Sequence, residues 1–174
     1  MHSWKKTDGM QVVTLAEGIS AGKVVDFQFD LESFRIYGWL VKRGVWAGTG
    51  GVAAAALTQI GKDVVFVTNE AAIEASAGAR GTEDGRAWAA AWLKTRVMSR
   101  RGAAMGEVAD LVFDVANARV CVLVLDQNRV VRLDGRVAVG RDAVILDDPG
   151  IAVAITEKFD TPEWWAKVSD LPKG

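Results

Sequence analysis

Histidine, cysteine, tyrosine and proline are nearly missing from this 174-residue chain, which holds one His, one Cys, one Tyr and three Pro. With His2 as the one imidazole and Cys121 as the one thiol, a single chain cannot assemble a zinc site of the usual ligand set. One cysteine also excludes an internal disulfide and fits a reducing compartment. Cys121 sits in the apolar run Val120 to Leu125, so a buried structural thiol is expected there and not a nucleophile. No other constellation of catalytic type stands out, so no catalytic residue, metal site or cofactor site is expected.

An excess of either charge is lacking too: 21 basic side chains face 22 acidic ones, for a net charge of -1. The balance is 10 against 10 up to Thr95 and 11 against 12 after it. Neither half carries the basic surplus that generic binding to a phosphate backbone needs, so DNA is not an expected partner and RNA is a remote one. The arginines that could still form a local patch, Arg96, Arg100, Arg101, Arg129, Arg132, Arg136 and Arg141, all belong to the second half. Long hydrophobic runs are also lacking. The least polar stretch, Gly44 to Ile60, holds four glycines and two threonines and falls short of the ~20 consistently apolar residues of a membrane span. Residues 1–9 carry no apolar segment behind their two lysines, so no signal peptide is expected and a cytoplasmic protein is.

What the chain does contain is one pattern written twice. Residues 12–41 and 96–125 overlay at a constant offset of 84 without a gap. Val13, Gly18, Gly22, Val24, Asp26, Phe29, Asp30 and Arg35 recur as Val97, Gly102, Gly106, Val108, Asp110, Phe113, Asp114 and Arg119. Those eight identities in thirty positions compare with roughly two for unrelated segments. A second anchor, Gly61-Lys62-Asp63-Val64-Val65 against Gly140-Arg141-Asp142-Ala143-Val144, follows at an offset of 79, which leaves five extra residues in the first copy. A duplication of this kind predicts two units that lean on each other, because each is below about 80 residues and has little core of its own.

The periodicity predicts mostly strands. Gln11–Leu15, Lys23–Asp30, Arg35–Arg43 and Val64–Thr68 serve the first copy, and Arg96–Ser99, Glu107–Asp114, Arg119–Asp126, Arg129–Leu133 and Ala143–Leu146 the second. Residues 1–9 read as a mobile tail, and residues 10–69 and 95–156 as the two β units. Residues 70–94 read as a helical connector whose main helix is Thr82–Lys94, with Trp88 and Trp92 on one face. The last unit, 157–174, holds a short helix: Thr161 as N-cap, Pro162 in the first turn and Glu163 beside the helix start.

Asp30 and Asp114 lie where a strand gives way to a turn, and such an aspartate accepts from backbone N–H groups just ahead. Asp26 and Asp110 lie inside a strand, and the expectation is that they accept from the backbone of the Gly18 and Gly102 turns. Their recurrence in both copies favours a demand of the fold over a carboxylate pair for acid–base chemistry. Gly48, Gly50 and Gly51 lack the Lys-Ser/Thr of a P-loop and the spacing of a dinucleotide fingerprint. Seven tryptophans remain as the oddity of composition. Trp39 alternates with Tyr37 and Val41 and places one face of its strand in a core. Trp46, Trp88, Trp92, Trp164 and Trp165 are candidates for contact with a partner, since tryptophan is enriched at binding hot spots. Adjacent Trp164 and Trp165 cannot face the same way on a helix.

The order of these motifs, a strand with a glycine turn, then G-x-V-x-D-x-x-F-D from Gly22 and Gly106, an arginine-led strand and G-[KR]-D-[AV]-V, resembles the PRC-barrel family. The resemblance covers most of residues 10–69 and 95–148. It implies two small, strongly bent antiparallel β-barrels in tandem and a non-enzymatic docking or adaptor function toward a protein partner or a second copy of the chain. Gly22, Asp26, Asp30, Gly61 and Asp63, with Gly106, Asp110, Asp114, Gly140 and Asp142, are then repeat-motif positions. Two other functions fit the composition: an apolar ligand held between the barrels near Trp39, Trp88 and Trp92, or an RNA or ribosome-assembly factor using the second-half arginines.

Overall fold

β-branched and aromatic side chains fill the extended segments, and glycines, aspartates and asparagines stand between them, so the chain folds as short strands joined by tight turns. The computed structural model describes residues 1–44, 48–75, 85–140 and 142–171. In chain order the first elements are β1 (His2–Ser3), the one-turn helix α1 (Trp4–Thr7), β2 (Gln11–Thr14), β3 (Ser20–Asp30), β4 (Ile36–Lys42), β5 (Thr49–Ala53), β6 (Leu57–Ile60), β7 (Val64–Val67) and β8 (Ile73–Ala75). Then come β9 (Arg86–Trp88), α2 (Ala89–Trp92), β10 (Arg96–Ser99), β11 (Ala104–Asp114), β12 (Arg119–Leu125), β13 (Arg129–Arg132), β14 (Val137–Val139), β15 (Ala143–Leu146), β16 (Val153–Ala154) and α3 (Pro162–Ser169).

The protein is mainly β, and its strands form two eight-stranded sheets, each curled into a half-barrel. One sheet runs β6-β7-β2-β3-β4-β5-β8, and the other runs β14-β15-β10-β11-β12-β13-β16. The plan is the same, down to the parallel pairs β2 with β7 and β10 with β15 among otherwise antiparallel neighbours. The eighth strand of each sheet comes from the other repeat's lead-in: β9 pairs with β3, and β1 pairs with β11. Each repeat thus hands the strand and helical turn ahead of its first long strand to its neighbour.

Residues 1–9 are therefore not a tail. His2 and Ser3 pair with Phe113 and Val112, and Trp4 is buried against Phe27 at 5.2 Å between ring centroids. The connector likewise departs from a long helix: Arg86–Trp88 is extended, and only Ala89–Trp92 is helical. The rest of the expected helix, residues 82–84, lies outside the described residues. An isolated turn with little helical backing yields to the ladder that β3 offers.

The register corrects the gap-free alignment. Val12, and not Val13, is the counterpart of Val97, because Val12 pairs with Gly22 and Val65 as Val97 pairs with Gly106 and Val144. The first turn is one residue longer in the first repeat, so the offset is 85 in β2 and 84 in β3. Equivalent bulges recur along β3 and β11, leaving Ala21, Val25 and Tyr37 unpaired in one repeat and Met105, Ala109 and Cys121 in the other. A bulge reverses the in–out alternation. Ile36 and Trp39 consequently face the core while Tyr37 is 41% exposed, and Cys121 is only half-buried in its apolar run.

The repeats meet about a pseudo-two-fold axis. Arg35 and Arg119, equivalent residues, bridge antiparallel, and Ile36 N–H donates to Ala118 O at 2.7 Å as Val120 N–H donates to Phe34 O at 2.9 Å. Side chains of both sheets merge into one core, in which Phe113 lies 5.4 Å from Phe27 and 5.2 Å from Trp39. A second cluster lies outside the second sheet, where Val112, Val122, Val124 and Val130 are covered by Trp164, Val168 and Leu171. The first repeat holds Gln28, Gly38, Leu40 and Gly51 at those positions and needs no such helix there. Thr161 caps α3 by accepting from Trp164 N–H at 3.3 Å.

Candidate functional site

The repeated aspartates inside strands do not serve their own glycine turns. Asp26 Oδ1 accepts from Phe27 N–H at 2.9 Å and, across the repeat boundary, from Ala90 N–H in α2 at 3.1 Å. Asp110 Oδ1 accepts from Leu111 N–H at 2.8 Å and from Lys5 N–H in α1 at 3.0 Å, while its Oδ2 accepts from Ser3 Oγ. Each carboxylate follows a bulge that turns it inward, and each receives the amino end of the neighbour's helical turn. Both are nearly inaccessible. Burial pushes the Asp110 carboxyl above its ordinary value, with the Ser3 hydroxyl and the Lys5 and Leu111 N–H groups pulling the other way. Sealed and fully engaged, these groups act as clasps between the repeats.

The other motif residues build turns. Asp30 Oδ1 accepts from Glu32 N–H at 3.1 Å, Ser33 N–H at 2.6 Å and Ser33 Oγ at 2.7 Å, which holds its carboxyl below the usual range. Asp114 accepts from Ala116 N–H at 3.1 Å and from Asn117 Nδ2. Gly61 and Gly140 close matching turns by donating to Val64 O at 2.8 Å and Ala143 O at 3.0 Å, and Asp63 and Asp142 are exposed beside them. Gly22 and Gly106 have φ of +137° and +108° where β3 and β11 pass close to their neighbours; a Cβ on Gly22 would strike Lys42 O. Two buried hydroxyls escaped the sequence reading. Thr14 and Ser99 are counterparts that accept from Ile19 and Ala103 N–H, but the slipped alignment kept them apart.

The tryptophans divide. Trp92 and Trp164 are buried and cannot serve as contact residues, the first edge-on to Phe29 and the second to Phe159. Trp88 is half-buried in extended backbone at the start of α2, so it does not share a helical face with Trp92. Trp165 is half-buried, with its indole N–H donating to Asp160 at 2.9 Å. Trp46 lies outside the described residues. The space beside Trp39 is filled by rings. Of the second-half arginines, Arg100 pairs with Asp147 and Arg136 with Asp134, while Arg129 donates to Met105 O and Arg132 to Leu171 O.

The largest opening among those described is a groove of about 1010 Å³ beside the pseudo-two-fold axis. One bank is Ala53–Ala55 and the whole of β6; the other is the β11–β12 turn, residues 114–118; His2 and residues 35–37 complete the lining. All four residues of β6 line it; Thr58 is bulged out of the pairing with β7, and Thr58 and Gln59 are exposed. β6 ends its sheet's path and presents backbone groups there. Tyr37 carries the Arg86 guanidinium 3.8 Å above its ring. His2 is held below its ordinary pKa by burial and by the nearby chain amino group, against a smaller opposing pull from Asp114. Among the described residues no group of three or more His, Cys, Asp or Glu is placed to hold a metal ion, and no helix is long and apolar enough to cross a membrane.

The class of protein that fold and groove define is a tandem of two half-barrel β units with exchanged lead-in segments and an open cleft between them. No family model matches the chain, and no curated protein matches it.

Proposed function

We propose that this chain is a non-enzymatic, cytoplasmic protein-interaction module built from two PRC-like barrels, holding a partner protein in the groove beside its pseudo-two-fold axis. One observation carries the reading: the groove draws a free strand edge from one repeat and a turn from the other, so it exists only in the assembled pair. Strand edges and alanine-lined clefts bind backbone and apolar surface without chemistry of their own. The motif order shared with PRC barrels, whose characterised members dock onto other proteins, supports the same function.

A photo-crosslinking residue placed at Thr58, in the groove, tests this in the native cell against one placed at Glu163 on the exposed side of α3. A discrete protein adduct from position 58 that position 163 does not give is the expected result. No adduct at either position, together with a monomeric native mass, would remove the proposal.

A further inference from the structure

Lys23 and Lys42 are partners across the β3–β4 ladder and both are exposed, so the fold holds two ammonium groups of like charge side by side. Like charges directly opposed in a ladder destabilise it. On its other flank Lys23 stands opposite Gln11, which is neutral. The second repeat builds the same corner with the opposite charge and balances it. Glu107 and Asp126 hold the counterpart positions, Asp126 Oδ1 accepts from Glu107 N–H at 3.1 Å, and Arg96 stands opposite Glu107 where the first repeat has Gln11. Among the described residues neither Lys23 nor Lys42 has a carboxylate partner, whereas Lys6, Arg43, Arg100 and Arg136 each have one.

The two lysines line a cavity of about 590 Å³ together with Arg43. The one carboxylate on that lining, Glu70, is taken by Arg43 at 3.1 Å, so the charge of the two lysines is left uncompensated. Gln11 and Ser20 complete the polar wall: Ser20 Oγ accepts from Gln11 Nε2, and the hydroxyl proton has no acceptor among the described residues. The floor is backbone, because Gly22 brings β3 so close to Lys42 O that a Cβ would strike it.

We propose that this cavity binds a small phosphorylated molecule, with its phosphate monoester between Lys23 and Lys42 and its organic part in the remaining space. Such a monoester carries about -1.5 to -2 near neutral pH, which matches two free ammonium groups, while a single carboxylate would leave one of them unmatched. Ammonium groups on long stems serve as point charges for phosphate oxygens. The cavity's volume falls in the range of about 300–1,000 Å³ usual for small-ligand pockets and exceeds what a bare phosphate fills. It shares no lining residue with the groove, so the site stands apart from the partner-binding reading.

Nitrogen–proton correlation spectra of the full chain test it, in titrations with glycerol 3-phosphate, glucose 6-phosphate and adenosine monophosphate, each beside its phosphate-free parent. At least one ester is expected to shift the amides of Ser20, Lys23 and Lys42 to saturation with a Kd below about 1 mM, and no phosphate-free parent should do so. Lys23→Gln combined with Lys42→Gln should weaken that ester at least about tenfold, with the unfolding midpoint unchanged or raised because the repelling pair is gone. Lys167→Gln, on α3, should bind it as the parent does. No saturable shift from any ester, shifts spread evenly over the exposed lysines, or undiminished binding to the double variant would overturn the proposal. A phosphoserine peptide or an anionic lipid vesicle that bound where every ester failed would overturn it as well, and would give the corner to a protein or a membrane surface instead.

Discussion

At the residue scale, Asp110 is the position on which the pairing of repeats turns. Asp110→Ala leaves the buried Ser3 hydroxyl and the part-buried Lys5 N–H without their acceptor, which should cost about 1–3 kcal/mol in urea unfolding. Asp110→Asn keeps an acceptor oxygen and loses the titration. The native carboxyl titrates above its ordinary 3.8, so its contribution to stability is complete below that value and is lost as pH rises through the native one. Asp30 and Asp134, lowered by hydrogen bonds from Ser33 and Arg136, act in the opposite sense and contribute above their ordinary values. Melting temperatures across pH should therefore show Asp110→Asn gaining on the parent as pH rises above about 4, and a constant difference would contradict it. The recurrence of Asp26 and Asp110 was legible in sequence. Their partners were not, because the Ser3 hydroxyl stands 107 residues from the carboxylate it meets.

At the scale of elements, α1 and α3 stabilise different faces of the second sheet. Trp164 is fully buried over Val112, Val122, Val124 and Val130, and its indole N–H donates to Asn128 Oδ1 at 3.0 Å. Trp164→Ala should cost about 3–5 kcal/mol in denaturant unfolding, and Trp165→Ala distinctly less. Equal losses would mean that the helix does not seat as described. Removal of residues 1–7 strips β1 from β11, takes Trp4 out of the shared core and uncovers a strand edge. Such a variant should unfold at lower temperature and sediment as aggregates. The cap of α3 could be read directly, since Thr161, Pro162 and Glu163 act within one turn. The exposure of Tyr37 and Cys121 could not, because one bulged residue reverses the parity on which strand reading depends.

For the whole molecule, the exchanged lead-ins mean that neither repeat is complete in its own sequence. The first lacks β9 without the connector, and the second lacks β1 and Trp4 without the amino-terminal segment. Either repeat expressed alone should melt far below the intact chain, and the two mixed should recover a cooperative transition. Equal melting temperatures for a single repeat and the whole would show that the shared core of Phe27, Trp39 and Phe113 contributes little.

Sequence alone determined the β class, the doubling, the hairpin turns at Asp30 and Asp114 and the terminal helix, because each is written in residues close along the chain and repeated or capped by local rules. The tertiary structure decided which strand belongs to which sheet, where the buried carboxylates point, which tryptophans are sealed and where a groove opens. Those outcomes depend on segments some 60 to 110 residues apart, brought together only by burial of a core that neither repeat can complete alone.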